Sequence, residues 1–153
     1  MKRTVAYAVL IALLDQLSKV LVCYFLTDNQ IVPVIPGIFN LVNWHNTGAA
    51  WGVFQDYNMV LAIISLVTVL ALYFFRHSFQ IHHPGCATAL GLIAGGIIGN
   101  LADRLRLHHV VDFLDFYTGR QHWPAFNVAD SAICVGVGLY FISSLLAERQ
   151  AKK

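Results

Sequence analysis

Four long apolar stretches, Thr4–Leu26, Asn58–Phe75, Cys86–Ala102 and Val128–Ala147, constrain this chain more than any motif in it. Each approaches the roughly 20 residues with which a helix crosses a bilayer. Between them the chain carries little charge: 12% of its residues are Asp, Glu, Lys or Arg and 58% are hydrophobic, against about a quarter charged in ordinary soluble proteins. The sequence therefore predicts one domain, residues 1–153, of all-α membrane class, a four-transmembrane-helix bundle. Lys2 and Arg3 ahead of Val5–Leu14 resemble the start of a secretory signal. Asp15 interrupts that run and no small-residue cleavage site follows Leu26, so the segment is read as a helix of the mature protein.

If the helices alternate in direction, Lys2, Arg3, Arg76, Arg149, Lys152 and Lys153 fall on one side and Arg104, Arg106 and Arg120 on the other. The side richer in cations is the cytoplasmic one, which places both termini inside and both long connections outside. The first connection, Thr27–Tyr57, contains Ile31–Ile35, Pro36-Gly37 and Ile38–Trp44, a strand, turn and strand. A small extracytoplasmic β-sheet resting at the membrane surface is expected, since unpaired backbone is not tolerated in hydrocarbon. The second, Leu105–Phe126, mixes charges with Phe113, Phe116, Tyr117, His122 and Trp123. It reads as an interfacial aromatic belt, an outward lid over a site, or both. Gly91, Gly95 and Gly99 share one face of the third helix and let another helix approach closely.

The small net positive charge follows from this topology and gives no reason to invoke nucleic acid. Cys23, Cys86 and Cys134 have no paired spacing and read as apolar core residues. The seven histidines include no H-E-x-x-H, and the pairs His82–His83 and His108–His109 diverge on any regular element. Neither a metal nor a cofactor is expected.

Ionisable groups within membrane segments are costly, so each needs a partner or a task. Asp15, Ser18 and Lys19 share a face of the first helix, where Asp15 and Lys19 are able to pair. Asn100, Asp103 and Arg104 repeat that spacing at the outer end of the third. There Asp103 has Arg104 or Arg106 as a structural partner, and Asn100 and Arg104 suit a substrate carbonyl or backbone. Asn127 and Asp130, three apart at the start of the fourth helix, look in one direction. Asp130 is placed to cap that helix, and also to meet an acid from Val110–Phe116. Two carboxylates in a poorly solvated site share one proton, and such a pair hydrolyses a peptide by activating water directly. Spacing leaves Asp112 and Asp115 both open as the partner of Asp130. The rival class is a proton-coupled transporter, whose acids are distributed across the membrane. Here Asp103, Asp112, Asp115 and Asp130 gather at the outer side, and only Asp15 is expected deeper.

Five segments, Asp15–Lys19, Asn46–Gly52, Gly99–Arg104, Val110–Phe113 and Phe126–Asp130, together resemble lipoprotein signal peptidase, also called signal peptidase II. They occur in that order and span nearly the whole chain, with Trp51 where Phe is common as one departure. The resemblance implies an aspartic endopeptidase of the bacterial inner membrane. It implies removal of signal peptides from prolipoproteins, before a cysteine that carries diacylglycerol. It places the catalytic pair at Asp112 and Asp130, substrate contacts at Asn100 and Arg104, and support at Asn127. Asp15 and Asn46 fall on motif positions taken as structural or substrate-positioning, and Asp103, within the Gly99–Arg104 segment, is counted among the substrate-binding or supporting residues. The partners it implies are the lipid-modified precursor and membrane lipid, with the site at the outer, periplasmic face.

Overall fold

The computed structural model describes residues 1–48 and 53–151, with side chains described through Arg149. Ala49–Gly52, including Trp51, and the terminal Lys152 and Lys153 lie outside the described residues. The elements, in order, are α1 (Lys2–Phe25), β1 (Ile31–Ile35), β2 (Phe39–Asn46), α2 (Asn58–Phe74), a short 3₁₀ turn (Arg76–Phe79), α3 (Pro84–Arg106), β3 (Val110–Thr118), β4 (Gln121–His122) and α4 (Val128–Ala151).

The central helix is α3. Pro84 opens it at a position where a missing N–H costs nothing and φ is already set. Its glycines explain how it packs. A Cβ on Gly91 would come within 2.7 Å of the Thr4 carbonyl oxygen, and one on Gly95 within 2.6 Å of that of Ala8. Gly96, on another face, admits the Ala129 backbone of α4 in the same way. These contacts fix direction. Gly91 meets Thr4 and Gly99 meets Asp15, so α1 runs parallel to α3; Gly96 meets Ala129 and Gly136 meets Ala89, so α4 runs antiparallel. Lys2, Arg3, Arg76 and Arg149 therefore lie at one end of the bundle, and Arg104 and Arg106 at the other.

The burial pattern is that of a protein in lipid. Leu13, Phe25 and Val135 are more than 60% exposed on the outside of the bundle, while Asp15, Lys19 and Asp103 are at most 3% exposed within it. Among the described residues three helices, Lys2–Phe25, Pro84–Arg106 and the Val128–Arg149 portion of α4, are long and apolar enough to cross a membrane; α2, at 17 residues, is apolar but shorter. Cys86 is buried as expected, whereas Cys23 and Cys134 are exposed.

The strand, turn and strand of the first connection form as read. Pro36-Gly37 closes the turn, with Gly37 at φ +84° and the Ile38 N–H donating to the Ile35 carbonyl at 3.0 Å. Pro at the first corner and a positive-φ Gly at the second is the combination a type II turn requires. The second connection departs from the expectation. Much of Leu105–Phe126 is not a free lid or belt but strand β3, paired with β2, followed by β4. The sheet has four antiparallel strands in the order β1-β2-β3-β4. Its physical basis is the run Val110-Val111, Phe113-Leu114, Phe116-Tyr117-Thr118, rich in β-branched and aromatic strand formers and interrupted by two buried aspartates. The fold is thus a helical bundle capped at one end by a sheet larger than the sequence suggested.

Candidate active site

The site forms where the sheet meets the ends of α1, α3 and α4. At the start of α4, the Asn127 side chain accepts the Asp130 backbone N–H at 3.0 Å, and Asp130 Oδ2 accepts the Asn127 N–H at 3.3 Å. This is a reciprocal capping box, which satisfies two backbone donors that an uncapped helix leaves unpaired. A third donor is met from α1, because Asp15 Oδ1 accepts the Ala129 N–H at 2.9 Å. Asp130 is thereby both a capping residue and a carboxylate held in a set direction.

Asp112 reaches the same place from β3. Its Oδ2 accepts Asn46 Nδ2 from β2 at 2.8 Å, and its Oδ1 accepts Asn127 Nδ2 at 2.8 Å. Asn100 of α3 completes the arrangement, donating Nδ2 to Asp130 Oδ1 at 2.7 Å. Asp115, the other candidate partner, lies three residues along the strand and so on its opposite face. It is fully buried there, bound to Asn40 at 2.8 Å and to His122 at 2.8 Å.

Beneath the two aspartates lies an ion cluster. Lys19 Nζ is 2.8 Å from Asp15 Oδ2, 2.8 Å from Asp103 Oδ2 and 2.9 Å from Asn100 Oδ1. The Asp15–Lys19 pair matches its helical spacing. Asp103, however, pairs with this lysine rather than with Arg104 or Arg106, because its side of α3 faces α1. Arg104 turns away to donate to the Gly48 carbonyl at 3.1 Å, and Arg106 reaches Gln16 at 3.3 Å. Gln16 also donates to Asp103 Oδ1 at 2.8 Å. Lys19 and Gln16 are the residues of this site that the sequence reading did not assign to it. Their partners on α3 are invisible in helical spacing; the one available signal was a lysine inside a membrane segment. Asp15 is not a separate deeper acid either, since it joins the same cluster.

A cavity of about 480 Å³ opens at this end of the bundle. Asn46, Asn100, Arg104, Asp112 and Asp130 line it, with Trp123, Pro124, Ala125 and Phe126 along one wall and Ser131, Ile133 and Cys134 along another. Asp15, Asp103 and Asn127 lie behind the wall and hold it. Burial, and then the negative charge of Asp130, push the Asp112 carboxyl up to about 7, against the pull of the Asn46 and Asn127 amides and the Lys19 ammonium. Near neutral pH Asp112 is therefore only partly ionised, the condition that two carboxylates need in order to share a proton. A relay across the membrane would need acids spaced along the bundle, and these are gathered at one end.

The model of a family described as signal peptidase (SPase) II matches residues 7–146. Among curated relatives, a lipoprotein signal peptidase of Nitratidesulfovibrio vulgaris (strain DP4) is 46% identical over 140 residues, covering 89% of this chain and 85% of its own. One of Geobacter sulfurreducens is 44% identical, covering 90% and 88%. Among solved structures, a bacterial membrane enzyme determined by the in meso method at 2.3 Å resolution superposes with a TM-score of 0.86 at 30% identity, covering 100% of this chain and 93% of that one. A second, at 1.9 Å resolution, gives a TM-score of 0.81 at 29% identity, covering 95% and 94%. Matched in this way along nearly its whole length, the chain belongs to the signal peptidase II family of membrane peptidases.

Proposed function

We propose that this chain removes signal peptides from prolipoproteins, cutting before a diacylglyceryl-modified cysteine, with Asp112 and Asp130 as the reacting pair. The observation that carries the reading is the opening of both carboxylates on one cavity, each oxygen facing an N–H donor and Asp112 raised to about 7. One carboxyl holds a proton while the other is ionised. The ionised one takes a proton from water as the water oxygen attacks the peptide carbonyl carbon, and the protonated one gives its proton to the carbonyl oxygen. The tetrahedral intermediate then collapses: one of its hydroxyls returns a proton to the carboxyl now ionised, the C–N bond breaks, and the amine leaves with the proton held by the other. Arg104 and Asn100 stand on the cavity wall where a substrate backbone would lie, and Trp123–Phe126 cover it as the remaining part of the expected lid.

The same reading gives α2 as a fourth crossing and makes the Lys2, Arg76 and Arg149 end cytoplasmic. The site then lies at the outer face of the bacterial inner membrane. A precursor anchored by its lipid reaches this depth laterally, with its scissile bond near the interface.

The test is cleavage of a lipid-modified precursor in membranes. Asp112→Asn and Asp130→Asn are each expected to abolish it while accumulating normally, and Asp115→Asn to retain activity. Full cleavage by either of the first two ends the pair reading. Proton flux that depends on the same residues would support the transporter class instead.

A further inference from the structure

The hydrogen bonds around Lys19 fix more than its own position. Its ammonium has three N–H bonds and three acceptors, Asp15 Oδ2, Asp103 Oδ2 and Asn100 Oδ1, all within 2.9 Å. An ammonium only donates, so the atom that Asn100 turns toward it is the carbonyl oxygen. Asn127 Nδ2 donates to that same oxygen at 3.2 Å. The Asn100 NH₂ group must therefore point the other way, to Asp130 Oδ1 at 2.7 Å. Turned by half a rotation, the amide would set NH₂ against two donors and an oxygen against a carboxylate.

The same logic orders the remaining amides. Asn127 Oδ1 accepts the Asp130 N–H, so its NH₂ faces Asp112. Asn46 Oδ1 accepts the Gly48 N–H at 2.9 Å, so its NH₂ also faces Asp112. Three amides thus aim donors at the two carboxylates. No amide oxygen competes for the proton the pair shares.

We propose that Lys19 is a positioning residue of the reaction: anchored by Asp15 and Asp103, it locks Asn100 so that its amide donates to Asp130. This keeps Asp130 Oδ1 an acceptor and leaves the shared proton on the cavity side of the pair. The inference rests on Asp112 and Asp130 being that pair. The titratable groups facing the ammonium are Asp15 on its own helix, Asp103 on α3, Asp112 on β3 and Asp130 on α4. From β2, the uncharged Asn43 meets α1 at Cys23.

The test is a double-mutant cycle on purified enzyme cleaving a lipid-modified precursor. Lys19→Met is expected to lower kcat by about 10²-fold with little change in KM, and to move the acid limb of the pH profile upward. In an Asn100→Ala background the same substitution should lower kcat no further than about twofold, because the two residues act as one. Lys19→Met leaves two buried carboxylates without a cation, so a charge-balanced Lys19→Met/Asp103→Asn variant is measured beside it and is expected to fold yet lose kcat equally. Asn100→Asp keeps an oxygen for Lys19 but removes the donor to Asp130 and sets a third carboxylate against the ammonium, and should lose activity. Losses that multiply across the cycle, or normal kcat in the charge-balanced or Asn100→Asp variants, overturn the role given to Lys19. Cleavage that survives in Asp130→Asn would instead remove the pair reading beneath it.

Discussion

Asp112 and Asp115 are three residues apart on one strand, and the pleat alone separates their fates: one faces the cavity, the other Asn40 and His122. That separation depends on recognising the strand. Without it, spacing left both acids open, and only the family resemblance favoured Asp112. Asn127 and Asp130 were legible because helical spacing places them on one side. Lys19 was half legible: its pairing with Asp15 lies within one helix, but its bonds to Asp103 and Asn100 cross to another. The raised Asp112 carboxyl also has a consequence for stability. Between its ordinary value of 3.8 and about 7, the folded state holds a proton that the unfolded state has lost. Stability therefore falls as pH rises through that window and levels off above about 7. Asp112→Asn removes this dependence, so its stability relative to the parent should improve by about 3 kcal/mol between pH 5 and pH 8. Thermal unfolding in detergent at the two pH values measures it.

At the scale of elements, the start of α4 carries the most consequence for the site. Its capping box joins Asn127 to Asp130, and Asn127 also donates to Asp112. Asn127→Ala should cost about 1 kcal/mol of stability, and its loss of cleavage should far exceed what that destabilisation explains. The α1–α3 contact is the second sensitive element. A Cβ on Gly99 would lie 2.5 Å from Asp15 Oδ2. Gly99→Ala should displace that carboxylate from Ala129 and destabilise by about 1–3 kcal/mol, measured by the thermal midpoint with activity followed in parallel. The three glycines were legible as a packing face; the cluster they admit was not. Strand β3 escaped notice because both its faces are covered for much of its length, so no clean alternation appears. Its signal was composition: β-branched and aromatic residues running to Thr118, then Gly119-Arg120 before β4.

The whole molecule turns most of its leucines outward and buries Asp15, Asp103, Asp112 and Asp115, and this inversion was the most legible property of the sequence. Apolar length located all four helices to within a few residues at most ends, since helix and bilayer impose the same requirement on side chains. The alternating helix directions place Ser78 and Gly119 at opposite ends of the bundle. If both termini are cytoplasmic, as proposed, a cysteine at Gly119 in a background lacking Cys23, Cys86 and Cys134 should react with a membrane-impermeant maleimide in spheroplasts. One at Ser78 should react only after permeabilisation. Equal labelling from outside would overturn the proposed orientation.

The double duty of Asp130 bears on inhibition. A compound that draws its affinity from this carboxylate binds a side chain that also ties down the first turn of α4. Resistance by substitution there would lose the proposed reacting acid and the helix cap in one step. Escape would have to run through the cavity walls, at residues such as Ile133 or Cys134, which neither cap the helix nor hold a proton of the pair. Inhibitors that reach both aspartates while touching those walls least would leave the enzyme the fewest viable routes of adaptation.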